Sequence, residues 1–233
     1  MGVHAYYPMF ADLTGRRCVV IGGGLIALRK VTTLLSYGAQ IAVISPTVTM
    51  RLAAYAGART IRHVARRFRP ADLRGAWLVY AATDDHTINQ LVFRSATAQR
   101  IFTNVVDQTP LCSFIAPAIA RCGPVTVAVS TSGASPSLAK RIRDDVERTL
   151  EDGYLPMAQL LKSLRGVAKR VLPKYDDRKR YFNRLVSGET FTLVRRGKID
   201  AAKRAALRLL AQSNGTSSLR ARRMDDRKGR ASS

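Results

Sequence analysis

An α/β fold with a doubly wound parallel sheet is predicted for the first half of the chain, and three observations predict it. Short, apolar, β-branched runs alternate with stretches of helical periodicity. Three consecutive glycines, Gly22-Gly23-Gly24, stand at the first junction between such a run and a helix. The alternation stops after Asp107, where a period-two pattern and then an all-helical stretch take over.

Arg17–Ile21 (RCVVI) has the composition of a buried strand. Leu25–Tyr37 then places Leu25, Leu28, Val31, Leu34 and Leu35 on one side of a helix that Gly38 ends. Ile41–Ile44 is a second strand, closed by Ser45-Pro46. A short helix over Val48–Ala56 and a weak strand over Thr60–Val64 follow. Trp77–Ala82 is a fourth apolar strand, Asp85–Gln99 a helix and Ile101–Val106 a fifth strand. Beyond Asp107, Ser113–Arg121 and Pro124–Ser130 read as two extended segments joined at Cys122-Gly123. They read as antiparallel, because Val125, Val127 and Val129 alternate with Thr126 and Ala128. Ser135-Pro136 has the form of an N-cap followed by proline at the first helical position, opening a helix to about Thr149. From Tyr154 to Leu210 the chain is helical and basic. The expected divisions are a nucleotide-binding domain over 1–112, a small β-plus-helix segment over 113–150, a helical C-terminal domain over 151–214, and a disordered basic tail over 215–233.

The formal net charge is +23, spread along the chain and densest in the tail. Such a field attracts polyanions, whether a nucleic acid or a small ligand bearing many carboxylates. No apolar run reaches the roughly 18–20 residues of a membrane span, and the N-terminus lacks the basic-then-apolar layout of a signal peptide. A cytoplasmic protein is therefore expected. Cys18, Cys112 and Cys122 form no CxxC pair and read as small buried hydrophobes in a reduced setting. His4, His63 and His86 are scattered, so no resident metal site is expected.

Gly22-Gly23-Gly24-Leu25-Ile26-Ala27 matches G-x-G-x-x-A in the place the pattern requires. The first glycine permits a tight turn, the second lets a pyrophosphate approach the backbone, and the helix N–H groups and dipole then face the phosphates. A Rossmann-like dinucleotide site follows. The second strand ends in Ile44-Ser45-Pro46-Thr47, with no carboxylate for a ribose and no arginine nearer than Arg51. NAD and NADP are not separated by this turn. Asn104-Val105-Val106-Asp107 ends the fifth strand, and ligands of open α/β sheets sit beyond the carboxyl ends of strands. Asp107 is thus placed as a general base, with a loop carboxylate bonded to backbone N–H groups as the alternative.

GGGxxAxRK (Gly22–Lys30), AATDD…N (Ala81–Asp85, Asn89), NVVD (Asn104–Asp107), SFIAPA (Ser113–Ala118) and VAVSTSGASPSLAK (Val127–Lys140) occur in this order. Together they resemble the siroheme synthase N-terminal module, the precorrin-2 dehydrogenase / sirohydrochlorin ferrochelatase family, from about Tyr7 to Leu210. The resemblance implies a Rossmann-like domain, a dimerisation segment at 113–150 and a helical domain, joined in an intertwined homodimer. It implies NAD-dependent oxidation of precorrin-2 to sirohydrochlorin, followed in many members by insertion of ferrous iron as substrate. It makes Asp107 the essential aspartate. It assigns the cofactor to Gly22, Gly24, Leu25, Ile26, Ser45, Pro46, Thr47 and Thr83. Leu25 departs from the Asp or Glu common at its position. The substrate's carboxylates are assigned to Ser113, Thr131, Ser132, Ser135, Lys140 and Arg141. Arg143, the Arg178-Lys179-Arg180 run and Arg195-Arg196 are further candidates. Thr131 stands where some relatives carry a serine that can be phosphorylated. A dehydrogenase without chelatase activity, and an NAD(H)-sensing regulator that binds nucleic acid, are the competing readings. The favoured reading expects no membrane and no specific nucleic acid.

Overall fold

The computed structural model describes residues 6–229, with side chains to residue 214. It divides into two units, Met1–Ala116 and Pro117–Ser233.

In the first unit β1 (Arg17–Ile21), β2 (Gln40–Ile44), β3 (Arg62–Val64), β4 (Leu78–Ala81) and β5 (Phe102–Val105) form one parallel sheet, ordered β3-β2-β1-β4-β5. Helices α1 (Leu25–Leu35), α2 (Met50–Gly57) and α3 (His86–Ala98) make the crossovers. Period-two alternation sends Val19, Ile21, Val79 and Ala81 into a core that includes Val92 and Ala96 of α3. It sends Cys18, Val20 and Tyr80 into the core on the other face, with Val31 and Leu34 of α1 and Leu52 of α2. Burial on both faces explains why these strands are almost wholly apolar. Each fully buried side chain of this kind contributes roughly 1.5–3 kcal/mol.

The order of the strands matters for function. Gly22 follows β1, Thr83 follows β4 and Asp107 follows β5, and these three strands are neighbours. Register pairs Tyr80 with Asn104 and Ala81 with Val105, so the residues after β4 and β5 leave the sheet side by side.

The outer edge of β5 is covered locally. Ser113 donates its N–H to the Thr103 carbonyl (2.8 Å), and its hydroxyl accepts from the Thr103 N–H (2.7 Å). Asn104 Nδ2 donates to the Phe114 carbonyl at 3.0 Å. Sequence periodicity expects an extended strand from Ser113, but the strand starts at Ala118. The preceding residues are engaged with the β5 edge, which would otherwise present unpaired backbone groups.

In the second unit β6 (Ala118–Cys122) and β7 (Val125–Val129) pair antiparallel, and α4 (Pro136–Thr149) packs on both. The Ser135 hydroxyl accepts from the Leu138 N–H, forming the expected cap. A π-type turn at Leu150–Tyr154 leads into α5 (Leu155–Val171), α6 (Tyr175–Ser187), α7 (Glu189–Arg195) and α8 (Ile199–Gly229). Met157, Leu160, Leu164 and Ala168 recur at helical spacing and meet Tyr181, Leu185, Val194, Ala202, Ala206 and Leu210. The Tyr181 hydroxyl donates to the Ala206 carbonyl at 3.1 Å, and its burial pushes the phenol up to about 12. The last turns of α8 lie in the span expected as a tail, and the side chains of 215–233 lie outside the described residues.

Candidate functional site

The glycine turn is held from two sides. A Cβ on Gly22 would lie 2.2 Å from the Ala82 carbonyl oxygen, and Gly22 has φ +113. A Cβ on Gly23 would lie 1.9 Å from the Thr47 carbonyl oxygen. Gly23 also accepts the Thr49 N–H at 2.9 Å. The first two glycines therefore serve close backbone packing against the segments after β4 and β2. Gly24 is different: a Cβ there would meet nothing within 4 Å. It is the N-cap of α1, with no side-chain cap and no acidic residue in the first turn. An open backbone at an uncapped helix N-terminus fits a dinucleotide pyrophosphate, and Leu25 and Ile26 belong to that first turn.

On the ribose side, Pro46 and Thr47 are exposed, whereas Ser45 is buried beneath Gly23. Its carbonyl lies 2.9 Å from His63 Nε2 and its N–H donates to the Val64 carbonyl. Ser45 supports the turn from below. Thr83 exchanges hydrogen bonds with its own helix start: its hydroxyl meets Asn89 Oδ1 at 3.2 Å and accepts from the Asp85 N–H at 3.1 Å. Asn89 Nδ2 returns a bond to the Thr83 carbonyl at 3.0 Å. Asp85 caps α3 through the N–H groups of Thr87 and Ile88. The AATDD…N pattern is thus a local network that fixes the rim after β4.

Asp107 sits in a turn whose ends are Val105 and Gln108, closed by the Gln108 N–H on the Val105 carbonyl at 3.2 Å. Its φ of +59 is in the left-handed region, a conformation that costs a non-glycine residue roughly 1–2 kcal/mol. The carboxylate is exposed, and no hydrogen bond or ion pair to it is found among the described residues. A strained turn that presents a free carboxylate at the sheet rim is an arrangement that function, rather than packing, explains.

Two residues that sequence reasoning left out of the site surround this turn. Cys112 departs from the expectation of a plain buried hydrophobe, since it is half-buried and its thiol is engaged with the backbone. It accepts the Val105 N–H at 3.3 Å and faces the Val105 and Gln108 carbonyls at 3.2 and 3.3 Å. Its thiol therefore ties together both ends of the turn. Burial pushes that thiol above its ordinary range, against the Val105 N–H and the Lys30 charge, so it remains a donor at neutral pH. Lys30, in α1, is half-buried with Nζ 4.8 Å from the centroid of the Tyr80 ring. The Lys30 signal was present in the GGGxxAxRK pattern, where a lysine falls on an otherwise apolar flank.

The remaining assigned residues lie in the second unit. Thr131 Oγ1 accepts from the Ser135 N–H and donates to the Ser135 carbonyl, both at 3.0 Å. The Ser135 hydroxyl is occupied as the cap of α4. Ser132, at φ +52, and Lys140 are exposed. Arg141 lies 3.5 Å from Asp145, Arg143 pairs with Asp144, and Arg148 pairs with Asp145. Arg178 donates to the carbonyls of Leu172 and Pro173, Arg180 pairs with Asp177, and Arg195 with Asp152. Among the described residues no group of three or more His, Cys, Asp or Glu side chains is arranged to hold a metal, and no helix is long and apolar enough to cross a membrane.

Comparison with known proteins supplies the family context. Residues 9–118 match a putative NAD(P)-binding family, 123–149 the sirohaem biosynthesis protein central region, and 153–210 the sirohaem synthase dimerisation region. A siroheme synthase of Thioalkalivibrio sulfidiphilus is 39% identical over 198 residues, covering 85% of this chain and 40% of that protein. Siroheme synthase 2 of Aeromonas hydrophila is 42% identical over 185 residues, covering 79% and 39%. The chain thus spans about 40% of the length of these curated relatives. Among solved structures, SirC, a precorrin-2 dehydrogenase, superposes with a TM-score of 0.69 at 25% identity, covering 85% of this chain and all of that one.

Proposed function

We propose that this chain, which belongs to the family of siroheme synthase N-terminal modules, oxidises precorrin-2 to sirohydrochlorin with NAD, using Asp107 as the base. The observation that carries the reading is the free carboxylate of Asp107, held in a strained turn one strand away from the segment that packs on the glycine turn. The names of the relatives, siroheme synthase and precorrin-2 dehydrogenase, supply the reaction class.

When bound, the dinucleotide supplies the hydride acceptor. The backbone at Gly24 and the first turn of α1 hold its pyrophosphate, with Pro46 and Thr47 beside the ribose. Ser45 and Thr83 keep the rim in shape around it. The substrate gives up a hydride from a ring carbon and a proton to Asp107, so that oxidation, reduction and proton balance close. Ser113 acts on the substrate through the β5 edge, which it fixes. Lys140, Arg141 and the backbone of the Thr131–Ser135 loop bind substrate carboxylates through charge-assisted bonds. Ferrous iron is a second substrate: on its insertion two ring N–H protons leave, and Asp107 accepts one. The chain works as a homodimer, a reading supported by the match to a dimerisation region and by a two-stranded β6–β7 sheet, which is marginal alone.

The test is anaerobic incubation of the purified protein with precorrin-2 and NAD. The reading expects NADH and sirohydrochlorin to appear together in equal amounts. Absence of both from folded, NAD-binding protein overturns it. Addition of ferrous ion to sirohydrochlorin in a second reaction decides chelation.

A further inference from the structure

Lys30 is a cation in an unusual place. It projects from α1 over the ring of Tyr80, on the sheet face that carries Val20, Val43 and Tyr80. Tyr80 is itself packed edge-on by Phe114, with ring centroids 5.4 Å apart. The ammonium group forms no ion pair among the described residues, although most of its stem is covered. A half-buried, unpaired lysine loses hydration without recovering it from a carboxylate. The register explains what lies nearby. Tyr80 pairs with Asn104, and the Val106 N–H donates to the Ala81 carbonyl at 3.0 Å. The ring under Lys30 is therefore one strand away from the turn that carries Asp107.

The charged and titratable groups bearing on Lys30 are Arg29 on its own helix, Tyr80 on β4, and Asp107 and Cys112 on the loop after β5. Burial and Arg29 act to discharge the lysine, whereas Asp107 and Cys112 act to keep it charged. The interaction between Lys30 and Asp107 is reciprocal, since each favours the charged form of the other. It operates without contact, because no ion pair within 4.0 Å joins the two.

We propose that Lys30 is a positioning residue for the reaction, its ammonium countering the carboxylates of the bound substrate so that Asp107 stays ionised. The inference rests on the reading of Asp107 as the base. A substrate fringed with carboxylates brings negative charge toward that base and favours its neutral form, which accepts no proton. A nearby exposed lysine would be screened by water; Lys30 is half-buried and is screened less. Its cation–π contact with Tyr80 holds it in place without neutralising it.

The test compares wild-type protein with Lys30→Met, Lys30→Gln, Lys30→Arg and Asp107→Asn, each checked by thermal unfolding and NAD titration. The readout is the pH dependence of kcat for precorrin-2 oxidation. The proposal expects Lys30→Met and Lys30→Gln to move the acid limb upward by roughly half a pH unit or more, the size of an unpaired charge acting through partly solvated protein. KM for NAD should stay within about twofold, and Lys30→Arg should keep the limb near its wild-type position. A limb unmoved in the neutral variants overturns the proposal, as does an equal displacement in Lys30→Arg. The Gln variant keeps the test decisive if Met does not fold. Asp107→Asn separates the two claims: full activity there overturns the base itself, whereas loss of activity there with an unmoved limb in the Lys30 variants overturns only the role of Lys30.

Discussion

Two turns in this protein look alike in sequence and differ in what they leave free. The Asp107 turn follows β5 and the Thr131–Ser135 loop follows β7; both are polar, and both hold a non-glycine residue at positive φ, Asp107 at +59 and Ser132 at +52. In the second, the hydroxyls are engaged: Thr131 binds the backbone of Ser135, Ser135 caps α4, and the Ala134 N–H closes the turn on the Thr131 carbonyl at 2.9 Å. In the first, the backbone is tied by Cys112 and Gln108 while the carboxylate stays free. A left-handed residue whose side chain bonds nothing is conformationally costly and gains nothing locally. That contrast points to Asp107 for chemistry, and to the other loop for shape and for its backbone groups.

The contrast breaks most sharply under substitution. Asp107→Gly removes the carboxylate and the left-handed penalty together. Oxidation should fall by about 100-fold or more, the scale of a lost general base, while thermal stability holds or rises by up to about 1 kcal/mol less the added chain freedom. Thr131→Val should do the reverse, costing roughly 1–2 kcal/mol from two lost backbone bonds with a smaller change in kcat. Parallel melting curves and turnover measurements check both, and equal losses of activity in the two variants would erase the distinction.

The glycine turn offers a second comparison. Gly23→Ala drives a Cβ into the Thr47 carbonyl and should destabilise by about 1–3 kcal/mol. Gly24→Ser meets open space and gains a capping hydroxyl, so stability should hold. Its side chain stands where a phosphate would approach, and NAD affinity should drop roughly tenfold, equivalent to about 1.4 kcal/mol. Calorimetry with NAD alongside unfolding curves tests this pair.

A smaller effect concerns acid. Arg66 forms a two-point bond to Asp72 at 2.8 and 2.6 Å, which with the Arg69 N–H holds that carboxyl below the usual range. A depressed carboxyl contributes stability above its unfolded pKa and loses it as pH falls through the folded value. Stability should therefore decline below about pH 4, and Asp72→Asn should flatten that part of the curve in urea titrations across pH.

Much of this was legible in the sequence, for reasons that differ by residue. Apolar runs such as RCVVI fix their strands because both faces of a parallel sheet are buried, and Ser135-Pro136 marks a helix start through local backbone chemistry alone. Asp107 was found because strand ends are where such sheets bind ligands. Ser113 reads as an extended residue, yet its place on the β5 edge depends on a partner ten residues earlier. Cys112 and Lys30 were missed as site residues for a similar cause. A thiol bridging a turn and a lysine over a ring on another element are relations in space, and neither leaves a periodicity. The Arg141, Arg143 and Arg148 cations also look free in sequence, while the helix supplies Asp144 and Asp145 to pair with them.

The most direct test of the central claim is a single-turnover reaction of precorrin-2 with NAD-loaded protein under anaerobic conditions, run for wild type and Asp107→Asn. Asparagine tolerates the left-handed turn, so only the base is removed. The account predicts one NADH per site in the wild type and a rate lower by about 100-fold or more in the variant, with NAD binding unchanged. An Asp107→Asn protein that forms NADH at the wild-type rate would contradict it.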